Sequence, residues 1–237
     1  MSKKKEMIFR PEIALIVTDE ILYSHKESGS LYHFDDYVSS LGKSKVPSKM
    51  YLGSFIASCF EKEFGWITEQ DNVQPALLLM SYSDIKETQV RYMIEVAVEL
   101  GFKSVLLAQM ASAVQGVDNQ VEPPMIVVTY VDQRCEFDFL FMGQEILLEY
   151  HESFSISLFN EFKARCYDIL NNSFESLDIK INLDKVKAKS IWEETTSLKI
   201  TSISETRLND LFDEHFTLEE FCMHVKQNLT NEAIKMI

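Results

Sequence analysis

The sequence predicts an α/β protein whose strands form a largely parallel sheet with helices on its faces, and three observations carry that expectation. Residues 74–149 read as strand, helix, strand, helix and then a run of short strands, the order that builds β-α-β units. Residues 76–80 and 105–108 are unbroken apolar runs of strand length, as expected for strands covered on both faces. Residues 110–115 form a short helix rich in small side chains (Ala111, Ser112, Ala113), which implies close packing on a neighbour.

The elements follow in order. Residues 13–17 and 21–23 read as two strands of a hairpin, with 31–34 as a third. Residues 39–48 turn to Ser, Gly, Lys and Pro and mark a loop. Met50, Tyr51, Phe55, Ile56, Cys59, Phe60 and Phe64 then recur at helical spacing up to Gly65. After the strand at 76–80, Asp84 and Glu87 suggest a capping box for a helix that carries Val90, Met93, Ile94, Ala97 and Leu100 and stops at Gly101. Residues 125–131, 135–141 and 146–150 read as three successive strands, with Gly143-Gln144 turning between the last two. Ile156, Phe159, Phe162, Cys166 and Ile169 make a helical stripe, and 171–176 is polar enough for a loop. Residues 179–183 and 198–203 are expected as strands flanking a helix around 186–192. Thr217 with Glu220 is a second capping box, opening an amphipathic helix through Leu218, Phe221, Cys222, Val225 and Leu229. A domain boundary falls near 116–124, giving a first lobe at 1–118 and a second, reduced lobe at 119–237.

At 237 residues, 46% hydrophobic and 25% charged, the chain has the composition of an ordinary soluble globular protein. Its net charge of −14 argues against nonspecific nucleic-acid binding, which depends on cations neutralising phosphates. Lys3-Lys4-Lys5 is the one basic run, and it reads as a solubilising tail. There is no signal-peptide pattern and no apolar run of membrane-spanning length, so a cytoplasmic location is expected.

Metal and nucleophile chemistry finds little support. Cys59, Cys135, Cys166 and Cys222 form no C-x-x-C pair and sit among apolar neighbours, as small buried hydrophobes do. His25, His33, His151, His215 and His224 lack zinc-ligand spacing. Cys135 and His151 can be drawn as a nucleophile and base, but nothing in the sequence activates the thiol. Arg134 is expected to cap a neighbouring acidic loop or, less favourably, to hold phosphate. Asp35-Asp36, Glu193-Glu194 and Glu219-Glu220 read as solvated faces. Leu218, Phe221, Val225 and Leu229 on the last helix are the candidate partner-binding residues, and packing on the chain's own domain is the competing reading.

The order Pro75-Ala76-Leu77-Leu78-Leu79, the helix to Gly101, Val105-Leu106-Leu107-Ala108-Gln109, the helix from Met110, and Ile126-Val127-Val128 leading into Phe137-Asp138-Phe139-Leu140 resembles the actin, Hsp70 and sugar-kinase ATPase superfamily. The similarity covers about 75 residues well and the first 70 loosely. It implies an actin-like fold of two ribonuclease H-like lobes, with mixed sheets flanked by helices and the second lobe truncated. In actins the strand matching 105–108 ends in a glutamine that positions the attacking water, and Gln109 falls at that place.

The family's two phosphate hairpins each combine an aspartate with glycines. Here those turns read Val17-Thr18-Asp19-Glu20 and Val131-Asp132-Gln133-Arg134-Cys135. The seven glycines never fall closer than eleven positions apart, so no glycine-rich phosphate loop is possible. The family's late Gly-Gly adenosine motif is missing as well. Asp19, Gln109 and Asp132 remain as possible remnants of a nucleotide site. The expectation is a non-catalytic pseudo-ATPase without cofactor or metal, an adaptor or scaffold in a cytoplasmic protein complex, as an oligomer or heteromer. The alternative is an ATPase or nucleotide-regulated switch that binds ATP and Mg²⁺ through those three residues.

Overall fold

The computed structural model describes residues 13–18, 21–42, 52–64, 76–82, 87–99, 102, 104–115, 123–141, 143–175, 186–193 and 210–231. The chain divides into two compact units, Met1–Val117 with Cys222–Ile237, and Asp118–Phe221. The sequence places 222–237 in the second lobe, whereas the contacts group it with the first unit.

The first unit holds a mixed sheet of β1 (Ile13–Val17), β2 (Ile21–His25), β3 (Gly29–His33), β4 (Ala76–Ser81) and β5 (Ser104–Gln109), in the order β3-β2-β1-β4-β5. The first three strands form an antiparallel meander, while β4 and β5 run parallel to β1. Its helices are α1 (Phe34–Ser40), α2 (Leu52–Phe64), α3 (Glu87–Glu99), which links β4 to β5, and α4 (Met110–Gln115). Side chains alternate across a strand, so Leu15, Leu77 and Leu79 share a face and pack with Phe34, Phe55 and Met93. Ala14, Ile16, Leu78 and Met80 point to the other face and are just as deeply buried. The Asp84 half of the expected α3 capping box lies outside the described residues.

The second unit repeats the same plan. β6 (Met125–Val131), β7 (Arg134–Phe141) and β8 (Gln144–His151) form the meander, and β9 (Lys187–Trp192) and β10 (Glu214–Thr217) run parallel on the far side of β6. The order β10-β9-β6-β7-β8 is that of the first sheet read from its opposite edge. Two mixed, helix-flanked sheets of one topology, in tandem, are the ribonuclease H-like lobes that the actin-like resemblance implies. Gly143, at φ 73°, makes the turn into β8 with a conformation that glycine adopts without strain.

Two expectations are corrected. The segment 186–192 is not a helix but the strand β9, held between β6 and β10. Its Ala and Lys residues favour helix weakly, and pairing on both sides overrides that preference. Lys189, the polar residue that most suggests a helix face, is buried and its Nζ lies 3.0 Å from Glu214 Oε2 on the neighbouring strand. The polar segment 171–176 is not a loop over most of its length, because α5 (Ile156–Glu175) continues through it. Finally β10, a strand of four residues, had no sequence signal. The expected strands at 179–183 and 198–203 lie outside the described residues.

The core of the second unit is aromatic. Phe137 on β7 is fully buried, with ring centroids 5.4 Å from Phe162, 6.1 Å from Phe154 and 6.3 Å from Phe159. Edge-to-face contacts of this kind add to the area term. Phe137→Ala is therefore expected to lower stability by about 3–5 kcal/mol, read from the urea unfolding midpoint.

Candidate functional site

Asp19 lies outside the described residues, and Gln109 and Asp132 belong to different units, so each is described in its own setting. In the first hairpin, Thr18 N–H donates to Ile21 O at 3.0 Å. Thr18 Oγ1 in turn accepts from Ile21 N–H at 3.0 Å, which closes the connection without a glycine.

The second hairpin is equally tight. Val131 pairs with Arg134, leaving Asp132 and Gln133 as the two turn residues. Both have φ 56°, the left-handed pair that a type I′ turn needs and that Asn-Gly or Asp-Gly normally supplies. The compensation comes from Glu193, just after β9. Its Oε2 accepts from Asp132 N–H at 3.0 Å, and its own N–H donates to Tyr130 O at 3.1 Å. Glu193 is 5% exposed, so the reading of Glu193-Glu194 as a solvated pair fails at its first residue. In a phosphate hairpin the turn N–H groups are the anion site. Here one of them already serves a carboxylate of the same chain.

The Arg134 guanidinium stacks on the Tyr150 ring, 4.2 Å from the centroid. Cys135 and His151 are direct cross-strand partners, yet the thiol is fully buried, and burial with the nearby Glu136 carboxylate pushes its pKa up. It is an inert core thiol. A contact the sequence did not suggest is Ser190 Oγ to His215 Nδ1, 2.8 Å apart on adjacent strands, within nucleophile–base reach. Ser190 is fully buried, so the pair is a polar tie between β9 and β10. Among the described residues no cluster of His, Cys, Asp or Glu could hold a metal ion. No described helix is long and apolar enough to cross a membrane.

The last helix, α6 (Leu218–Asn231), begins with the expected capping box: Glu220 N–H donates to Thr217 Oγ1 at 3.2 Å, and Thr217 N–H to Glu220 Oε2 at 2.9 Å. The candidate partner stripe, Leu218, Phe221, Val225 and Leu229, is buried within the chain, in line with the competing reading that it packs on the chain itself.

Gln109 ends β5, and its Oε1 accepts from Ser112 Oγ at 3.3 Å. Both border a cavity of about 450 Å³ inside the first unit. Leu78, Leu106, Ala108, Ala113, Val225 and Leu229 give it apolar walls, and Asn228 joins Gln109 and Ser112 as the polar lining. At about 24 cal/mol per Å³, a sealed apolar void of that size would cost roughly 10 kcal/mol, a whole domain's stability. The space is instead open along β5, which is half-exposed over its full length.

Two outcomes are expected. Glu193→Ala leaves the Asp132 N–H without its acceptor and should lower stability by about 1–3 kcal/mol in chemical denaturation, with Glu193→Gln milder because it keeps an oxygen. The second concerns Cys166, whose thiol is pushed from 9.0 up to about 12 by burial first and the Glu149 carboxylate second. A raised folded-state pKa gives stability that is complete below the unfolded value and is lost as pH climbs toward the folded one. Stability should thus fall from pH 9.0 toward about 12, and the fall should be shallower in Cys166→Ala.

No family model and no curated protein matches the chain. Among solved structures it is similar to MreB 5 of Spiroplasma citri bound to AMPPNP, at 14% identity and TM-score 0.43 over 74% of this chain and 60% of that one. It is similar to a Bacteroides thetaiotaomicron protein described as having an actin-like ATPase fold and unknown function, at 9% identity and TM-score 0.41, covering 98% and 99% of the two chains. A third is the ethanolamine utilization protein EutJ from Carboxydothermus hydrogenoformans, at 7% identity and TM-score 0.43, covering 92% and 89%. The chain thus spans three-fifths of the MreB 5 length, and the strand order of its own two sheets carries the fold assignment.

Proposed function

We propose that this chain is a non-catalytic, pseudo-ATPase form of the actin-like fold that serves as an adaptor or scaffold in a protein complex. The observation that carries the reading is the Glu193 carboxylate on the Asp132 N–H. A nucleotide phosphate seeking that N–H would displace a buried anion and meet its repulsion. Turn residues with side chains, in place of glycines, support the same conclusion, since backbone cannot approach a phosphate as closely past them. Loss of nucleotide chemistry leaves assembly as the use of such a fold. Its sheets present suitable edges: β5 carries no charged residue, and β8 exposes Ile146 and Tyr150.

The test is a thermal melt of the purified protein with and without millimolar ATP-Mg²⁺ and ADP-Mg²⁺. A ligand that binds only the folded state at about 100 times its Kd adds about 2.7 kcal/mol of stability, so binding is easily seen. No shift is expected. A rise of several degrees would favour the nucleotide-regulated alternative through Asp19, Gln109 and Asp132, and would overturn the pseudo-ATPase reading. Affinity capture from the native cell tests the adaptor role separately, and recovery of the chain alone as a monomer counts against it.

A further inference from the structure

We infer that the cavity between β4, β5, α4 and α6 of the first unit is a binding site for a small, neutral, mainly apolar molecule with one hydrogen-bonding head group. This does not require the pseudo-ATPase reading: the cavity's residues lie outside both hairpin turns, and only Gln109 is shared with the nucleotide-regulated alternative, which competition by ATP-Mg²⁺ separates.

Size is the first argument. An apolar cavity of about 150 Å³ is enough to hold benzene. At about 450 Å³ this one has roughly three times that room, suited to two or three fused rings or a chain of about ten carbons. Charge is the second. Among the described residues no Lys, Arg, His, Asp or Glu lines it, although the chain as a whole is rich in acids. An ionised ligand would lose its hydration there and gain no counter-charge, so phosphates and carboxylates are disfavoured.

The polar groups supply the third. Gln109 and Ser112 meet at the junction of β5 and α4, while Asn228 comes from α6 and lies 2.9 Å from His224 Nε2 through its Nδ2. These are hydroxyl and amide groups, able to donate to or accept from an alcohol, amide or ketone but unable to neutralise an ion. Few polar groups among apolar walls is the usual composition of a small-molecule pocket. Among the described lining residues, three polar side chains are what water that enters can bond, so it is readily displaced by apolar surface.

The full chain is titrated with N-phenyl-1-naphthylamine, a neutral fused-ring probe that brightens in apolar surroundings. Saturable binding of one probe per chain is expected, displaced by 1-decanol and about tenfold less well by decanoate at neutral pH. Ala113→Phe puts a ring into the space and should weaken the probe by about tenfold or more with a cooperative melt retained. Ala108→Leu is the smaller filling change and should act in the same direction if Ala113→Phe does not fold. Non-saturable probe binding, or affinity unchanged in the folded filling variant, overturns the site. Equal displacement by decanoate overturns the neutral head group. ATP-Mg²⁺ should leave the probe in place, and competition by it would assign the cavity to nucleotide instead.

Discussion

Burial of the central strands on both faces is the constraint from which the rest of this structure follows. β1, β4 and β6 have no exposed side, and such strands need a layer of covering structure above and below. In the first unit α1, α2 and α3 supply one layer, through Phe34, Phe55 and Met93. On the opposite face, among the described residues, the unit's own stretch of sequence supplies the six residues of α4. The end of the chain, Cys222 onward, joins the first unit and brings Val225 and Leu229 to the same cavity as Leu78 and Leu106. Val225 and Leu229, half of a stripe that looks available for a partner in sequence, are thus engaged by the first unit. The small side chains of β5 and α4, Ala108 and Ala113, are what leave the cavity between these layers.

The same sheet occurs twice, so the hairpin joining its first two strands also occurs twice, and the chain closes the two by different chemistry. At Thr18 a hydroxyl takes the backbone N–H that the turn would otherwise leave unpaired. At Asp132 and Gln133 the backbone goes left-handed without glycine, at a cost of about 1 kcal/mol or more per residue. A charge-assisted bond from Glu193 offsets part of that cost. In each case a hydrogen bond from a side chain of the protein, rather than a glycine, helps close the connection.

Local signals in the sequence were read well and long-range ones were not. The apolar runs of β4 and β6, the period of α3 and the Thr217–Glu220 capping box are written in contiguous residues, and each appears where expected. β9 and β10 owe their conformation to neighbours instead: Lys189 reads as a surface residue until Glu214 stands beside it on the next strand. Glu193 is the sharpest case. Its significance depends on a turn 61 positions away, and a lone Glu-Glu pair holds no trace of that partner. The Ser190–His215 contact is hidden for the same reason, since only strand pairing brings 190 and 215 together.

The electrostatics of the second hairpin act over more than one bond. A nucleotide brings several negative charges, and its phosphates are stabilised elsewhere by N–H dipoles, lysines or a metal ion. At Asp132 the dipole is engaged and the nearest buried charge is an anion, while Arg134, the cation adjoining the turn, is stacked on Tyr150. The net charge of −14 extends the same sign over the whole molecule and lowers the local concentration of any polyanion. On the proposed reading, repulsion opposes a nucleotide at that turn. A neutral apolar molecule meets no such barrier. The cavity of the first unit has no charged residue among the described residues of its walls, so selection there rests on shape and apolar area, which the acidic surface leaves unaffected.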